Sequence, residues 1–258
     1  MTGVRGRTAL VTGAGSAGGI GFATARLLLA AGARVAITST SPRIFERLAE
    51  LGADADASFA QPADLTKSGQ VESLIAAVSA RFGGIDILVN NAGMTQVGGD
   101  VPAGKLAEMT EAGWDYGIDI NLKTAFLVTR AVLPGMISRH YGRIVQMSSV
   151  TGPVVGIAGS TVYAAAKAGM LGMTRALAIE TGRFGVTVNC VGPGWIQTES
   201  SSEAEIVAGR YTPVGRPGTP EEVGHVAVFL ASEEASYVTG QMFVVDGGNT
   251  VQEYKVGS

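Results

Sequence analysis

The sequence predicts an α/β fold in which a doubly wound parallel sheet lies between two layers of helices, a three-layer α/β/α arrangement. Short apolar segments rich in β-branched residues alternate with helical segments along the 258 residues. Apolar strands separated by helices are typical of a parallel sheet that is covered on both faces. A glycine-rich segment directly follows the first strand, where such sheets bind ligands. No linker or change of composition interrupts the pattern, so residues 1–258 are predicted to form a single domain.

Apolar runs of strand length define the predicted sheet, and spacing of apolar residues by three and four defines the helices. The first helix is predicted to end before Gly32, a residue type favoured just past a helix C-terminus. The predicted strands are Thr8–Val11, Arg34–Thr38, Ile85–Asn90, Gly142–Met147, Val186–Val191 and Met242–Val245. The predicted helices are Phe22–Ala31, Lys67–Phe82, Trp114–Ile137, Thr161–Thr181 and Pro220–Leu230.

Composition limits the classes of partner. The chain is 46% hydrophobic and 16% charged, and its net charge of −3 gives no electrostatic reason to expect nucleic acid or an anionic membrane. The single cysteine, Cys190, and the lack of a signal peptide favour a reducing, cytoplasmic compartment. His140 and His225 have no ligand spacing, so no metal site is expected. Residues 144–166 are uncharged, but Pro153 and several glycines interrupt them, so no membrane span is expected.

The segment TGAGSAGGIG, residues 12–21, fits two phosphate-binding patterns. GxGxxG begins at Gly13, whereas the looser GxxxGxG begins at Gly15. A helix N-terminus offers free N–H groups and the positive end of a dipole, and glycine lets a pyrophosphate approach them. GxGxxG is usually accompanied by an acid at the end of the second strand, which binds the ribose. Here Ser39 follows that strand and no acid occurs before Glu46, so this pattern lacks its usual partner.

Further motifs follow in a fixed order. They are Asp64-Leu65-Thr66, Asn90-Asn91-Ala92-Gly93, Tyr163-x-x-x-Lys167, Pro193-Gly194-Trp195-Ile196-Gln197-Thr198 and Asp246-Gly247-Gly248. With the glycine segment, they resemble the short-chain dehydrogenase/reductase family over residues 5–249, and the nearest pattern is that of 3-oxoacyl-carrier-protein reductases. Enoyl reductases usually place six residues between the tyrosine and the lysine, whereas this chain has three.

The resemblance implies a Rossmann-type fold with an NAD(P) site and a substrate lid at about residues 199–215. Its phosphate loop would run from Thr12 to Gly21, with two more residues than usual between Gly13 and Gly19. Asp64 and Leu65 would line the adenine pocket, and Ile196 and Thr198 would meet the nicotinamide carboxamide. The implied cofactor-binding residues are Gly13, Ser16, Gly19, Ile20, Ser39, Thr40, Arg43, Asp64, Leu65, Asn91, Ala92, Gly93, Tyr163, Lys167, Pro193, Gly194, Ile196 and Thr198.

The end of the second strand favours NADP over NAD. By the resemblance, Ser39 stands where NAD-preferring members carry an Asp, which would repel a 2′-phosphate. Ser39 and Thr40 can donate hydrogen bonds instead, and Arg43 can pair with the phosphate. The basic residue often found inside the glycine loop of NADP-dependent members is absent, so NAD stays open as the alternative.

Tyr163 and Lys167 are the predicted catalytic pair. Four residues apart on a helix, they share one face. A phenol has a pKa of about 10 in water, and bringing it to about 7 needs about 4 kcal/mol of preferential stabilisation of the phenolate. A cation about 4 Å away supplies about 4 kcal/mol at an effective dielectric of about 20. We therefore expect the Lys167 ammonium, with the oxidised nicotinamide ring, to lower the pKa of Tyr163.

Two more catalytic residues follow from the resemblance. The family's substrate-binding serine usually precedes the tyrosine by thirteen residues, a position held here by Val150. Ser149 is chosen, assuming a one-residue insertion in the following loop, and Ser148 is the alternative. Asn121 resembles the asparagine that anchors a water between the lysine and solvent, and its amide is expected to hold a helix distortion.

The resemblance implies a small-molecule or carrier-bound ketone or alcohol as substrate, with a homotetramer as the assembly. A short polar lid and a long glycine-rich loop, Met94–Gly113, favour an open site that admits a large or carrier-bound ketone. Two alternatives stay open. One is an NAD-dependent sugar, polyol or steroid alcohol dehydrogenase, and the other is a non-catalytic nicotinamide-binding protein.

Overall fold

The computed structural model describes residues 3–52, 54, 56–93 and 104–253. Its centre is a seven-stranded sheet in which every neighbouring pair of strands is parallel, in the order β3-β2-β1-β4-β5-β6-β7. The predicted doubly wound parallel sheet is thereby confirmed. The strands are β1 (Thr8–Thr12), β2 (Arg34–Thr38), β3 (Ser58–Ala60), β4 (Ile87–Asn90), β5 (Gly142–Met147), β6 (Val186–Pro193) and β7 (Met242–Val245).

Helices cover both faces of this sheet. They are α1 (Ile20–Ala30), α2 (Ile44–Leu51), α3 (Ser68–Phe82), α4 (Glu111–Ile118), α5 (Thr124–Ser138), α6 (Thr161–Thr181), α7 (Glu203–Arg210) and α8 (Pro220–Leu230). Alternation along β1 separates two cores, because successive strand side chains point to opposite faces. Ala9 and Val11 pack with α1 and α8, whereas Leu10 packs with α3 and α5.

The order of the strands places the ligand-binding edge. The chain moves outward from β1 to β2 and β3, and then returns to the other side of β1 at β4. Crossovers therefore diverge on either side of the β1–β4 pair, and a crevice opens there beyond the carboxyl ends of the strands. The glycine segment after β1 and the residues after β4 meet in this crevice, hydrogen-bonded through Thr12 and Asn91.

Three elements were not predicted. The helix α2 is only two turns long, β3 is three residues long, and α7 lies in the segment interpreted as a polar lid. Each is too short for hydrophobic periodicity to stand out. A capping box at Ser202, in which Glu205 hydrogen-bonds back to the Ser202 amide, begins α7 and was the available sequence signal.

The predicted helix Trp114–Ile137 is interrupted. A π-helical turn at Asp119–Lys123 separates α4 from α5. The side chain of Asn121 donates to the carbonyl of Gly117 at 3.0 Å, four residues back in the chain. A side-chain amide that binds a helical carbonyl supports such a local widening. The expected distortion at Asn121 is therefore present, but the division of the helix into two was not predicted.

By length and composition alone, the helical run Glu111–Ser138 is apolar enough to cross a membrane, with a mean hydropathy of 1.2. Half of its most apolar window is buried inside the protein. Leu127, Val128 and Met136 from this run belong to the core beneath the sheet. Its apolar character is thus accounted for by packing on the sheet.

At the amino-terminal edge of the sheet, opposite the crevice, the guanidinium of Arg143 is buried. Its side chain is bound by the carbonyls of Gly142, Gly185 and Ser232 at 2.9–3.1 Å, and by Glu233 at 3.1 Å. These partners belong to β5, to the turn before β6 and to the segment after α8. One buried cation therefore ties three parts of the chain together, and its donors are satisfied by carbonyls and a carboxylate.

Candidate active site

The helix α6 brings Tyr163 and Lys167 to the crevice. Tyr163 lies in its first turn, and Lys167 follows one turn later. The Lys167 ammonium is 5.5 Å from the centroid of the Tyr163 ring, so the two side chains share one side of the helix. Lys167 is only 3% exposed, and its Nζ donates to the carbonyl of Met147, the last residue of β5, at 2.9 Å. This bond fixes the helix against the carboxyl end of the strand.

The two candidate serines after β5 have different surroundings. Ser148 Oγ donates to the backbone carbonyl of Lys167 at 2.9 Å, so its hydroxyl is bound beneath α6. Ser149 Oγ accepts from the amide of Thr151 at 3.1 Å, and the Ser149 side chain lies near enough to the Tyr163 phenol to favour a lower pKa of that phenol. The structure therefore brings Ser149, rather than Ser148, to the tyrosine.

Burial dominates the electrostatics of this pair. It raises the pKa of the Tyr163 phenol, while the hydrogen bond from Ser149 acts in the opposite direction. Burial lowers the pKa of Lys167 to about 8, so the ammonium form still predominates at neutral pH. From the spacing of Tyr163 and Lys167, a lowered pKa was expected for Tyr163. In the structure the direction is reversed, because the loss of solvent outweighs the groups that favour the phenolate.

Asn121 reaches the same place from the π-helical turn. It is 2% exposed, and a Cβ added to Gly93 would lie 3.0 Å from Asn121 Oδ1 and 3.4 Å from Lys167 Nζ. Gly93, with a φ of 153°, also adopts a backbone conformation that side chains disfavour. The glycine after β4 therefore leaves the space in which the amide oxygen and the ammonium converge.

Contacts to the end of β4 explain two glycines of the phosphate loop. A Cβ on Gly13, whose φ is 67°, would lie 2.8 Å from the backbone of Ala92. A Cβ on Gly21 would lie 2.5 Å from Asn91 Nδ2, which donates to the carbonyls of Thr12 and Gly13. These glycines are required by the close approach of two segments of the chain, and Asn91 supports the loop from beneath.

The rest of the loop forms a concave surface at the start of α1. Gly19 is the N-cap in an extended conformation, without a side-chain cap, and Ile20 begins the helix. The chain makes a turn from Ser16 to Gly19, in which the carbonyl of Ser16 accepts from the amide of Gly19 at 3.2 Å. An uncapped N-terminus bordered by glycines suits an anionic phosphate group.

The end of β2 borders the other side of this loop. A Cβ on Gly15 would lie 2.9 Å from the Cβ of Ser39 and 3.5 Å from Arg43 Nη2. Arg43 Nε is buried and has no hydrogen-bond partner in the described protein. Thr40 is exposed. Ser39 and Arg43 therefore meet beside the phosphate loop with an unused donor, while Thr40 lies at the surface.

The remaining candidates lie after β3 and at or after the end of β6. Asp64 Oδ1 accepts from the amide and hydroxyl of Thr66, and Leu65 is 5% exposed within the core. Pro193 ends β6, and Ile196 forms an isolated parallel β-bridge with Gly218. A Cβ on Gly194 would lie 2.6 Å from the Cβ of Asp246, and the Thr198 hydroxyl contacts those of Ser200 and Ser201.

The described residues fit a dinucleotide. They offer an uncapped helix N-terminus, glycines that leave its approach open, and the Arg43 guanidinium beside Gly15. Across the described ranges, no three His, Cys, Asp or Glu side chains group as metal ligands.

Sequence reasoning missed two acidic residues of the lid. Glu199 accepts a hydrogen bond from Ser16 Oγ at 2.7 Å, and Glu205 contributes to the raised pKa of Tyr163. The only sequence signal for them was the excess of glutamate in the lid. Sequence does not show which residue a charged side chain contacts when the two are far apart in the chain. The long loop expected at Met94–Gly113 lies in part outside the described residues, which resume at 104.

Comparison with known proteins shows the family. Residues 13–250 match a family model described as enoyl-(acyl carrier protein) reductase, one of the models of the short-chain dehydrogenase/reductase family. The chain is 40% identical to oxidoreductase UcpA of Salmonella typhimurium over 260 residues, which covers 96% of each chain. It is 39% identical to the 3-oxoacyl-[acyl-carrier-protein] reductase FabG of Vibrio cholerae over 249 residues, covering 95% of this chain and 98% of that protein.

A solved structure shows the same architecture. The putative gluconate dehydrogenase from Agrobacterium tumefaciens superposes with a TM-score of 0.88 and 34% identity, over 97% of this chain and 98% of that one. The likeness extends over the whole sheet and its helices, so it concerns the complete fold and not one motif. The chain belongs to the short-chain dehydrogenase/reductase family, whose members are NAD(P)-dependent oxidoreductases.

Proposed function

We propose that this protein is an NADP(H)-dependent oxidoreductase that interconverts a ketone and a secondary alcohol, with Tyr163 as the acid and base. The observation that carries the proposal is the arrangement of Ser149, Tyr163 and Lys167 at the carboxyl end of β5, with Asn121 beside the lysine. The spacing of tyrosine and lysine favours a ketone over an enoyl substrate.

The residues divide the work by position. A bound reduced nicotinamide supplies the hydride. In reduction, Tyr163 donates its proton to the developing alkoxide, and the raised pKa of the buried phenol keeps that proton available at neutral pH. Ser149 holds the substrate oxygen beside the phenol. Lys167 places a positive charge near the phenol that favours the phenolate left behind, and Asn121 is proposed to lead protons to the lysine.

The contacts of Ser39 and Arg43 support NADP over NAD. A 2′-phosphate beside Gly15 would lie near Arg43, whose Nε has no partner. We expect Ser39→Asp to shift the preference toward NAD by about tenfold or more in the ratio of kcat/KM values, because a carboxylate repels the 2′-phosphate and can bind the ribose hydroxyl instead. Steady-state kinetics with both cofactors measure this ratio.

The control for this change is Ser41→Asp, which adds the same charge two residues further along, at a position with intermediate exposure. An unchanged cofactor ratio in Ser39→Asp, or an equal shift in both variants, would contradict the assignment of Ser39.

The substrate is proposed to be a small-molecule or carrier-bound carbonyl of the 3-oxoacyl type. The FabG relative, named as a 3-oxoacyl-[acyl-carrier-protein] reductase, supports this class. The structural neighbour named as a putative gluconate dehydrogenase supports a sugar or polyol alcohol as the second candidate. NADPH oxidation with a 3-oxoacyl thioester, compared with NAD⁺ reduction by sugar acids and polyols, decides between them. Absence of turnover with all of these would reject the proposed activity.

We propose a homotetramer as the assembly, as the resemblance implies, and the open edge of the sheet supports contact between copies. The edge strand β7 is apolar throughout, and Val244 is 43% exposed. An apolar edge strand needs a cover, and a second copy of the chain supplies one by symmetry. We expect light scattering to give four times the mass of the chain, and the mass of a monomer would refute the assembly. The cytoplasm remains the proposed location, from cysteine usage and the class of enzyme.

A further inference from the structure

A lid carboxylate lies against the phosphate loop. Glu199 follows Thr198 in the segment after β6, and its Oε2 accepts a hydrogen bond from Ser16 Oγ at 2.7 Å. A Cβ on Gly18 would lie 2.9 Å from Glu199 Cγ and 3.5 Å from Oε1. Two residues of the loop therefore lie against the same side chain, and the second of them, Gly18, immediately precedes the N-cap of α1.

This contact gives the phosphate loop two ends of opposite charge. The Arg43 guanidinium lies beside Gly15, and the Glu199 carboxylate lies beside Gly18. The uncapped N-terminus that suits a pyrophosphate begins at Gly19, directly after Gly18. A positive group at one end attracts the dinucleotide, whereas a carboxylate at the other end repels its phosphates.

We propose that Glu199, positioned by Ser16, weakens the binding of the dinucleotide and so speeds its release. The inference rests on the proposed function, because it requires a dinucleotide on this loop. Cofactor release often limits turnover in enzymes that close a lid, so a built-in repulsion between lid and phosphates would shorten the lifetime of the closed state. Ser16 acts through Glu199, by holding the carboxylate over the loop.

The test is a titration of the whole protein with NADPH and with NADH, followed by the fluorescence of the reduced nicotinamide. Glu199→Gln keeps an oxygen that can accept from Ser16 but removes the charge. We expect it to lower the Kd for NADPH about three- to tenfold, as for unit charges a few ångströms apart at an exposed surface. The matched control is Glu203→Gln, an exposed residue of the same lid, which should leave the Kd unchanged.

Two further measurements separate this repulsion from a general effect on the fold. Adenosine 2′-phosphate, used as a competitor, lacks the pyrophosphate, so its affinity should be equal in Glu199→Gln and wild type. The gain in NADPH affinity should shrink as salt is raised, because salt screens exposed charges. The effect of Glu199→Gln should also be smaller in a Ser16→Ala background, where the carboxylate is no longer held in place.

The outcomes distinguish the two proposals. If the wild-type protein binds neither NADPH nor NADH, the proposed function fails. If it binds a dinucleotide and Glu199→Gln has the same Kd as Glu203→Gln, or a higher one, the repulsive role of Glu199 is wrong and the proposed function stands. Full additivity of Ser16→Ala and Glu199→Gln would reject the positioning role of Ser16.

Discussion

Tyr163→Phe is expected to reduce kcat for ketone reduction by about 10²–10⁴-fold, the range typical of a lost general acid. The substitution removes only the phenol oxygen, and the ring keeps its place in the first turn of α6. Binding of NADPH should therefore change little, so that kcat falls while the Kd of the cofactor remains. Rapid-mixing or steady-state assays together with a fluorescence titration measure the two quantities.

Tyr237→Phe is the matched control. It removes the same phenol oxygen from a tyrosine that is fully exposed. The pH profile gives a second readout. Alcohol oxidation needs the phenolate, and burial raises the pKa of Tyr163, so the oxidation rate of the wild type should rise with pH above neutrality. A Tyr163→Phe variant with kcat close to wild type, or an unchanged rise of its rate with pH, would overturn the role of the phenol.

The second large effect is expected from the serine that faces the phenol. Ser149→Ala should lower kcat by about 10²–10³-fold, as for the loss of one donor to a developing oxyanion. Ser148→Ala should leave kcat near that of wild type, because its hydroxyl is bound to the carbonyl of Lys167. That variant should instead lose about 1 kcal/mol of unfolding free energy, the usual contribution of one hydrogen bond.

The pair of variants forms its own control, since each removes one hydroxyl from adjacent positions. Steady-state kinetics, with whichever of the 3-oxoacyl thioesters, sugar acids and polyols is turned over, measure kcat. Denaturant unfolding measures the change in unfolding free energy. Loss of turnover in Ser148→Ala with activity retained in Ser149→Ala would show that the register of the catalytic serine is shifted by one residue.

Much of the fold could be predicted because its strands are apolar on both faces and bounded by glycine or helix. Gly142–Met147 and Met242–Val245 were predicted with the bounds that the structure has. Apart from the short elements that were missed and the interruption of the predicted helix Trp114–Ile137, the errors are at ends of elements that depend on tertiary contacts. For example, β6 continues to Pro193, which pairs with Val245 of β7 and whose carbonyl accepts from the amide of Val150, and no local pattern encodes these contacts.

The site was predictable where side-chain spacing along one helix decides the geometry, as for Tyr163 and Lys167. The choice between Ser148 and Ser149 depended on a loop of unknown length, and contacts with α6 were needed to separate them. The direction of the pKa shift of Tyr163 could not be obtained from spacing either. It depends on burial, which is a property of the assembled fold.

The buried guanidinium at the amino-terminal edge has a consequence for engineering. Arg143 joins the start of two strands to the segment after α8, on the side of the sheet away from every proposed catalytic residue. Libraries that diversify the lid for new alcohols therefore leave this junction intact. Even Arg143→Lys would leave several of these carbonyls without a hydrogen-bond donor, because an ammonium lacks the planar fork of donors of a guanidinium. Directed evolution should therefore keep that position fixed.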